Sequence, residues 1–431
     1  MKKSTKDAFV IGLALFAMFF GSGNLIFPPY LGKLVGNNYP IAILGFLITG
    51  VGLPLLGILS CAKVNGTFRD IASPVGKIFA VAVTTSIILA IGPMIAIPRT
   101  AATTYELSIQ PFFPNINITT AIIIYFLINL AFVLRPSSII DTIGKFLTPA
   151  LLILLLTIII KGILFPIGSI SSTPFENVFS NSLLEGYQTM DATASVIFAS
   201  IIIATVRQKG YDNVSDIIKI TSLSGIIAVI GLGTIYGGLM YLGSQTVNVF
   251  PGDITKTVLL TQITQTILGK TGTVFLALAV ALACMTTSIG LTSSAANYFE
   301  EITNGKLNYK LNAIIVSVMS ILIATLGVDD IVAFAFPILQ ILYPIVIVLV
   351  ILTFLGFNNK TILTITAYTT LLIGILDNLK SVGLNIGFIN KFISFIPLSN
   401  IGFSWLIPAV IAFLFSLAYV KAKGNKTVNE F

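Results

Sequence analysis

The sequence predicts an all-α polytopic membrane protein of about twelve transmembrane helices. Three observations carry this. Hydrophobic residues make up 56% of the 431 residues and charged residues only 9%, where soluble domains carry roughly 25% charge. Mean hydropathy is +1.00, more apolar surface than a soluble core absorbs. The apolar runs are long and continuous, and at that depth backbone amides must be satisfied within helices or closed barrels.

Taken in order, runs bounded by charges and Pro/Gly clusters predict spans at 8–32, 40–62, 76–107, 118–134, 138–164, 184–206, 216–243, 271–299, 309–326, 331–356, 361–379 and 401–420. The first follows Met1-Lys2-Lys3, as in a signal peptide, but its apolar stretch runs on to Phe27 without a small-residue cleavage site, so the expectation is retention. Connections are short. The longest are near 165–183 and 244–270, and Asp253 to Ile263 has an amphipathic pattern suited to an interfacial loop, or a short helix or lid over the outer face.

Basic residues orient the bundle. With the N-terminus inside, 17 fall inside: Lys2, Lys3, Lys6, Lys63, Arg69, Lys77, Arg135, Lys145, Arg207, Lys209, Lys219, Lys306, Lys310, Lys360, Lys421, Lys423 and Lys426. Six fall outside: Lys33, Lys161, Lys256, Lys270, Lys380 and Lys391. Both termini are therefore expected in the cytoplasm. The same bias accounts for the net charge of +8 without a nucleic-acid partner. Histidine is absent and the two cysteines, Cys61 and Cys284, lie in different spans. This argues against zinc spacing, a disulfide framework and a histidine proton relay, and no carboxylates cluster at catalytic spacing, so no enzyme and no cofactor are expected. A channel lacks any filter-like repeat.

Two spans look interrupted. The first contains Gly21-Ser22-Gly23-Asn24-Leu25 and then Phe27-Pro28-Pro29. Glycines, Ser and Asn weaken a helix there, although glycines also serve close helix packing. An unwound backbone would aim the positive end of the following half-helix at an anionic group and offer carbonyls to a cation. The sixth holds Met190-Asp191-Ala192-Thr193-Ala194-Ser195, with Phe198 beyond. A carboxylate at a helix centre costs about 2.5–3.5 kcal/mol to insert, so Asp191 needs a task or a partner: an ammonium, a cation, or Arg99. Breaks five spans apart fit a five-plus-five inverted repeat: spans 1–5 at 1–164, spans 6–10 at 184–356, and two extra helices at 361–420.

The eighth span carries Ala283-Cys284-Met285-Thr286-Thr287-Ser288. Its hydroxyls and carbonyls are hard ligands that suit a sodium-sized ion, though hydroxyls in spans also bond back to their own helix. In the third span Glu106 follows Arg99 by seven residues, which shares a helix face and suggests a gate or a structural lock.

Gly21 through Pro29, Gly92-Pro93 through Pro98-Arg99-Thr100, and Met190-Asp191-Ala192 through Ser195 together resemble the bacterial branched-chain amino acid carriers of the BrnQ type, within the LeuT-like superfamily. The resemblance spans nearly the whole chain. It implies a monomeric symporter of leucine, isoleucine and valine in the cell membrane, driven by Na+ or H+, with a LeuT-like fold. By carry-over it also implies a sodium site at Ala17, Phe20, Ala283, Thr286 and Thr287. Between Asn24 and Pro28 this chain is one residue shorter than the superfamily pattern. Substrate would lie between breaks at 21–25 and 192–198. Its carboxylate would meet the amides of Ser22–Leu25, its ammonium the sixth-span carbonyls and Asp191, and its side chain Phe198. A transporter of another small neutral amino acid or ammonium compound is the alternative.

Overall fold

The computed structural model describes residues 3–134 and 138–428, and helices are its only regular elements among them. In chain order they are α1 (Lys3–Phe19), α2 (Ser22–Val35), α3 (Tyr39–Leu47), α4 (Leu53–Val64), α5 (Phe68–Ala72), α6 (Lys77–Leu89), α7 (Ala96–Thr104), α8 (Ile118–Leu134) and α9 (Ser138–Leu164). There follow α10 (Val178–Tyr187), α11 (Asp191–Gln208), α12 (Val214–Ser244), α13 (Lys256–Ile302), α14 (Tyr309–Ala324), α15 (Val328–Leu355), α16 (Lys360–Asn378), α17 (Gly387–Ser394) and α18 (Leu406–Val428). Eight helical stretches are long and apolar enough to cross a membrane, and Ile118–Leu134, Pro149–Leu164 and Tyr309–Ala324 are shorter apolar helices. Lys2 and Arg135 of the expected inner set lie outside the described residues.

The first and sixth expected spans are each divided, into α1 and α2 and into α10 and α11. The position of each division differs from the expected 21–25 and 192–198. Helix resumes already at Ser22, so only Phe20 and Gly21 are unwound. In the sixth span the interruption is Gln188–Met190, and residues 192–198 are helical. Met190 carries the left-handed φ of 63° that ends one half and starts the other, an uncommon conformation for a residue with a Cβ. The eighth expected span begins earlier, as α13, with a kink at Gly269 (φ 70°). The stretch before the kink buries Leu259, Leu260, Ile263 and Ile267, the apolar face of the amphipathic pattern. Five-residue π segments at 48–52, 90–94 and 105–109 interrupt the second and third spans.

Both halves of the first span pack along α12, while α10 packs on α3 and α11 on α4. Helix α13 lies against α7 and α9, and α15 against α4 and α16. Gly32 and Gly243 let α2 and α12 approach until each faces the other's backbone carbonyl, at Met240 and Pro29, so that a Cβ at either position would collide. The outside of the bundle exposes Leu127, Ile153, Leu164, Leu322, Ile411 and Phe415, side chains that lipid rather than water solvates.

Charged groups separate to the two ends. At one end Lys209 pairs with Asp7 (3.4 Å), Arg69 with Glu301 (3.5 Å), Lys63 donates to the Phe354 carbonyl (2.8 Å) and Arg207 bonds Asn65. At the other, Lys256 pairs with Asp329 (2.9 Å), Lys33 donates to the Phe250 carbonyl (2.8 Å) and Thr257 donates to Glu106 (2.6 Å).

Candidate functional site

The break in the first span is held from inside. The Gly21 amide donates to the Phe19 carbonyl (2.9 Å) and to Oδ1 of Asn24 (3.3 Å). The next amides, of Ser22, Gly23 and Asn24, open α2 and donate no hydrogen bond outside it among the described residues. By helix geometry they have no partner within it either. Nδ2 of Asn24 donates to Oδ2 of Asp191 (2.6 Å) and to the Tyr236 hydroxyl. Asn24 thus ties the first break to the start of α11.

Asp191 is the first residue of α11, where the helix dipole favours a carboxylate. Tyr236 on α12 also donates to its Oδ2 (3.3 Å). Oδ1 accepts no hydrogen bond among the described residues. Asp191 is 3% exposed, which leaves the carboxylate dependent on these neutral donors and on whatever enters the cavity beside it.

Arg99, also 3% exposed, reaches from α7 to the sixth-span break. Nη1 donates to the Gln188 carbonyl (2.6 Å) and Nη2 to the Thr189 carbonyl (3.4 Å). It therefore caps the negative end of α10, where unpaired carbonyls concentrate. Phe27 covers one face of the guanidinium, 5.3 Å from its centre. Gly23 gives it room, since a Cβ there would lie 2.7 Å from Nη2. Asp191 and Arg99 form no ion pair within 4 Å. Arg99 and Glu106, seven residues apart in the third span, bond different groups. Glu106 lies beyond the start of the third π segment and faces the end of the bundle, where it accepts from Thr257 and from the Val328 amide (2.8 Å).

Between the two breaks lies a cavity of about 40 Å³. Gly21, Ser22, Asn24, Arg99, Asp191, Ala194, Phe198 and Thr287 line it, eight of the residues singled out from sequence. Leu25 is packed in the core and Gly23 lies against Arg99. Thr193 and Ser195 are not in the wall. Their hydroxyls donate to the carbonyls of Met190 (2.9 Å) and Ala192 (2.7 Å) because that stretch is helical. Sequence reasoning missed Tyr236, Gln188 and Thr189. Tyr236 sits among the glycines of the seventh span and reads as packing. Its partnership with Asp191 crosses 45 residues.

The residues of the carried-over sodium site divide. Ala17 is in the last turn of α1 and Phe20 in the link after it; the carbonyls of Ala17 and Met18 are left without a backbone partner. Thr287 of α13 faces the same break. The Thr286 hydroxyl donates to the Ala283 carbonyl (3.0 Å), and its side chain borders an apolar groove between α8 and α13, with Tyr125, Ile128, Phe132 and Met285.

Two interrupted helices, a buried cavity between them and a surrounding apolar bundle define a LeuT-like membrane transporter. Solved structures agree in fold. The inward-facing conformation of Mhp1 superposes with a TM-score of 0.66 over 96% of this chain and 91% of that one at 14% identity. A Na+-coupled sialic acid symporter gives 0.54 over 95% and 90% at 15% identity. The chain belongs to the branched-chain amino acid transport protein family, whose model matches residues 4–423. It is 35% identical to the branched-chain amino acid permease BraB of Bacillus subtilis, over 99% of this chain and 98% of that protein. It is 31% identical to the permease BrnQ of Escherichia coli K12, again over 99% and 98%. These relatives are named as permeases, transporters rather than enzymes.

Proposed function

We propose that this protein imports leucine, isoleucine and valine across a bacterial cell membrane together with Na+ or H+, by alternating access. One observation carries the reading. In a single buried cavity the free amides opening α2 stand with the carboxylate of Asp191, and Phe198, Ile91 and Leu291 supply apolar wall. Such a cavity suits a zwitterion with an aliphatic side chain. The names of the relatives point to the same substrates. At about 40 Å³ the cavity holds little more than water, so a whole amino acid enters only when helices part.

The exchange of helix partners supports repeats at 1–164 and 184–356. Span 1 packs on span 7 and span 6 on span 2, which is the swap a two-fold relation between the halves requires. The charge bias supports cytoplasmic termini, and a monomer suffices for one such cavity. For the coupling ion, the free α1 carbonyls facing Thr287 favour sodium, while Asp191 could carry a proton. Initial leucine uptake into membrane vesicles tests the reading. It should saturate, and it should collapse when the sodium and proton gradients are both removed. Undiminished accumulation without either gradient overturns the coupling, and failure of leucine, isoleucine and valine to compete overturns the substrate.

A further inference from the structure

In the resemblance-based arrangement the unwound sixth span offers its carbonyls to the substrate ammonium. Here those carbonyls are occupied. Gln188 and Thr189 accept from Arg99, Met190 accepts from the Ala194 amide and the Thr193 hydroxyl, and Tyr187 accepts from the Met190 amide. Among the residues lining the cavity beside this break, Asp191 is the one anionic group open to a cation; Oε1 of Gln188 is also buried without a partner among the described residues but is not part of the lining.

The guanidinium, by contrast, has capacity to spare. Of its five N–H groups, two serve carbonyls, and Nε is buried without a partner among the described residues. It lies against the first turn of α2, where a Cβ on residue 23 would sit 2.7 Å from Nη2 and would have to displace the guanidinium. Arg99, Ser22 and Asn24 all line the cavity. Partnerless amides at a helix N-terminus and an unsaturated guanidinium therefore converge on one side. The carboxylate of Asp191, with one open oxygen, borders the same cavity, and it makes no ion pair with Arg99 among the described residues.

We infer that Arg99 is a specificity-determining residue: tethered to the sixth-span carbonyls, it pairs with the substrate's carboxylate beside the α2 amides, and Asp191 alone receives the substrate's ammonium. This rests on the proposed amino-acid substrate and goes beyond it by assigning each end of the zwitterion. It makes both charges of the substrate necessary. Each protein charge is desolvated and held apart from the other, so a ligand that neutralises one leaves the other buried and unpaired.

Competition against labelled leucine in vesicles tests the assignment, with leucinamide, which lacks the carboxylate, and 4-methylpentanoate, which lacks the ammonium. In the natural protein each analogue should compete about 100-fold more weakly than leucine, as expected of a site with charged partners for both groups. In R99Q the leucine-to-leucinamide ratio should shrink to less than about tenfold, because only leucine loses a partner, while the preference over 4-methylpentanoate persists. D191N should do the reverse. R99K keeps the charge without the planar fork and should retain most of the discrimination against leucinamide. It also keeps the test open if R99Q does not reach the membrane. Equal weakening of leucine and leucinamide in R99Q, or in R99K alone, would reduce Arg99 to a clasp on the sixth span and overturn the inference. If leucine itself does not compete in the natural protein, the proposed function fails first and separately.

Discussion

The first and sixth spans are both broken near the middle of the bundle, but by different means and with opposite consequences. The first breaks at a glycine in a polar string, and its groups stay open: the amides of Ser22, Gly23 and Asn24 have no partner beyond their helix among the described residues. The sixth has no glycine in its break. It turns through Gln188-Thr189-Met190 with a left-handed methionine, and its carbonyls are closed by Arg99 from the third span. An unwound segment is thus not by itself a binding surface. What matters is which of its polar groups the rest of the protein has already taken, since buried polar groups are rarely left unpaired without a reason.

The largest expected effect falls on the group that joins the two breaks. D191N should lower leucine uptake about 100-fold at matched protein in the membrane, on the scale of losing one partner of a buried charge pair. Initial vesicle rates normalised by immunoblot measure it, and a near-normal rate would detach Asp191 from the site. Next, the two glycines of the first break should separate. G23A drives a Cβ into the guanidinium and should cost about 30-fold in uptake by displacing Arg99 from the sixth break. G21A meets only ordinary contacts, the nearest at 3.7 Å, and should stay within about threefold. Equal loss in both variants would mean that backbone freedom, and not the room for Arg99, explains the glycines.

The two neighbouring threonines of α13 give a smaller contrast. If sodium is the coupling ion, T287A should raise its half-saturating concentration about tenfold, the loss of one hard ligand, and T286A should leave it within about twofold. Equal shifts in both would return the site to the arrangement carried over by resemblance, which uses both hydroxyls. Unchanged sodium dependence in both would favour a proton. Among the variants expected to lose function, the smallest effect is that of Y236F, which removes one of two donors to Asp191 Oδ2. The loss of about 1 kcal/mol predicts roughly a fivefold fall in uptake, with Tm of the purified protein changed little.

Much of this was legible from sequence. Composition and run length require helices in lipid, because nothing else satisfies a backbone there. Gly21-Ser22-Gly23-Asn24 marks one break and the isolated Asp191 marks the neighbourhood of the other. The sixth break was expected at 192–198 and lies at 188–190, because no local residue announces a turn at Gln188–Met190. That turn is sustained by Arg99, 89 residues away. Thr193 and Ser195 fell in the stretch expected to be broken, at 192–198, but within a helix their shortest path is to their own carbonyls.

By itself, then, the sequence determined the solvent, the class of fold, and which polar residues had to find a use inside lipid. These follow from local composition and from the cost of burying charge. Only the tertiary structure decided how those residues were shared out. It placed Arg99 on the sixth break rather than beside Glu106 or Asp191, and it placed Tyr236 on Asp191. It also turned Thr287 toward the first break and Thr286 away. Such pairings depend on which helix faces meet across the bundle, and no single span encodes that.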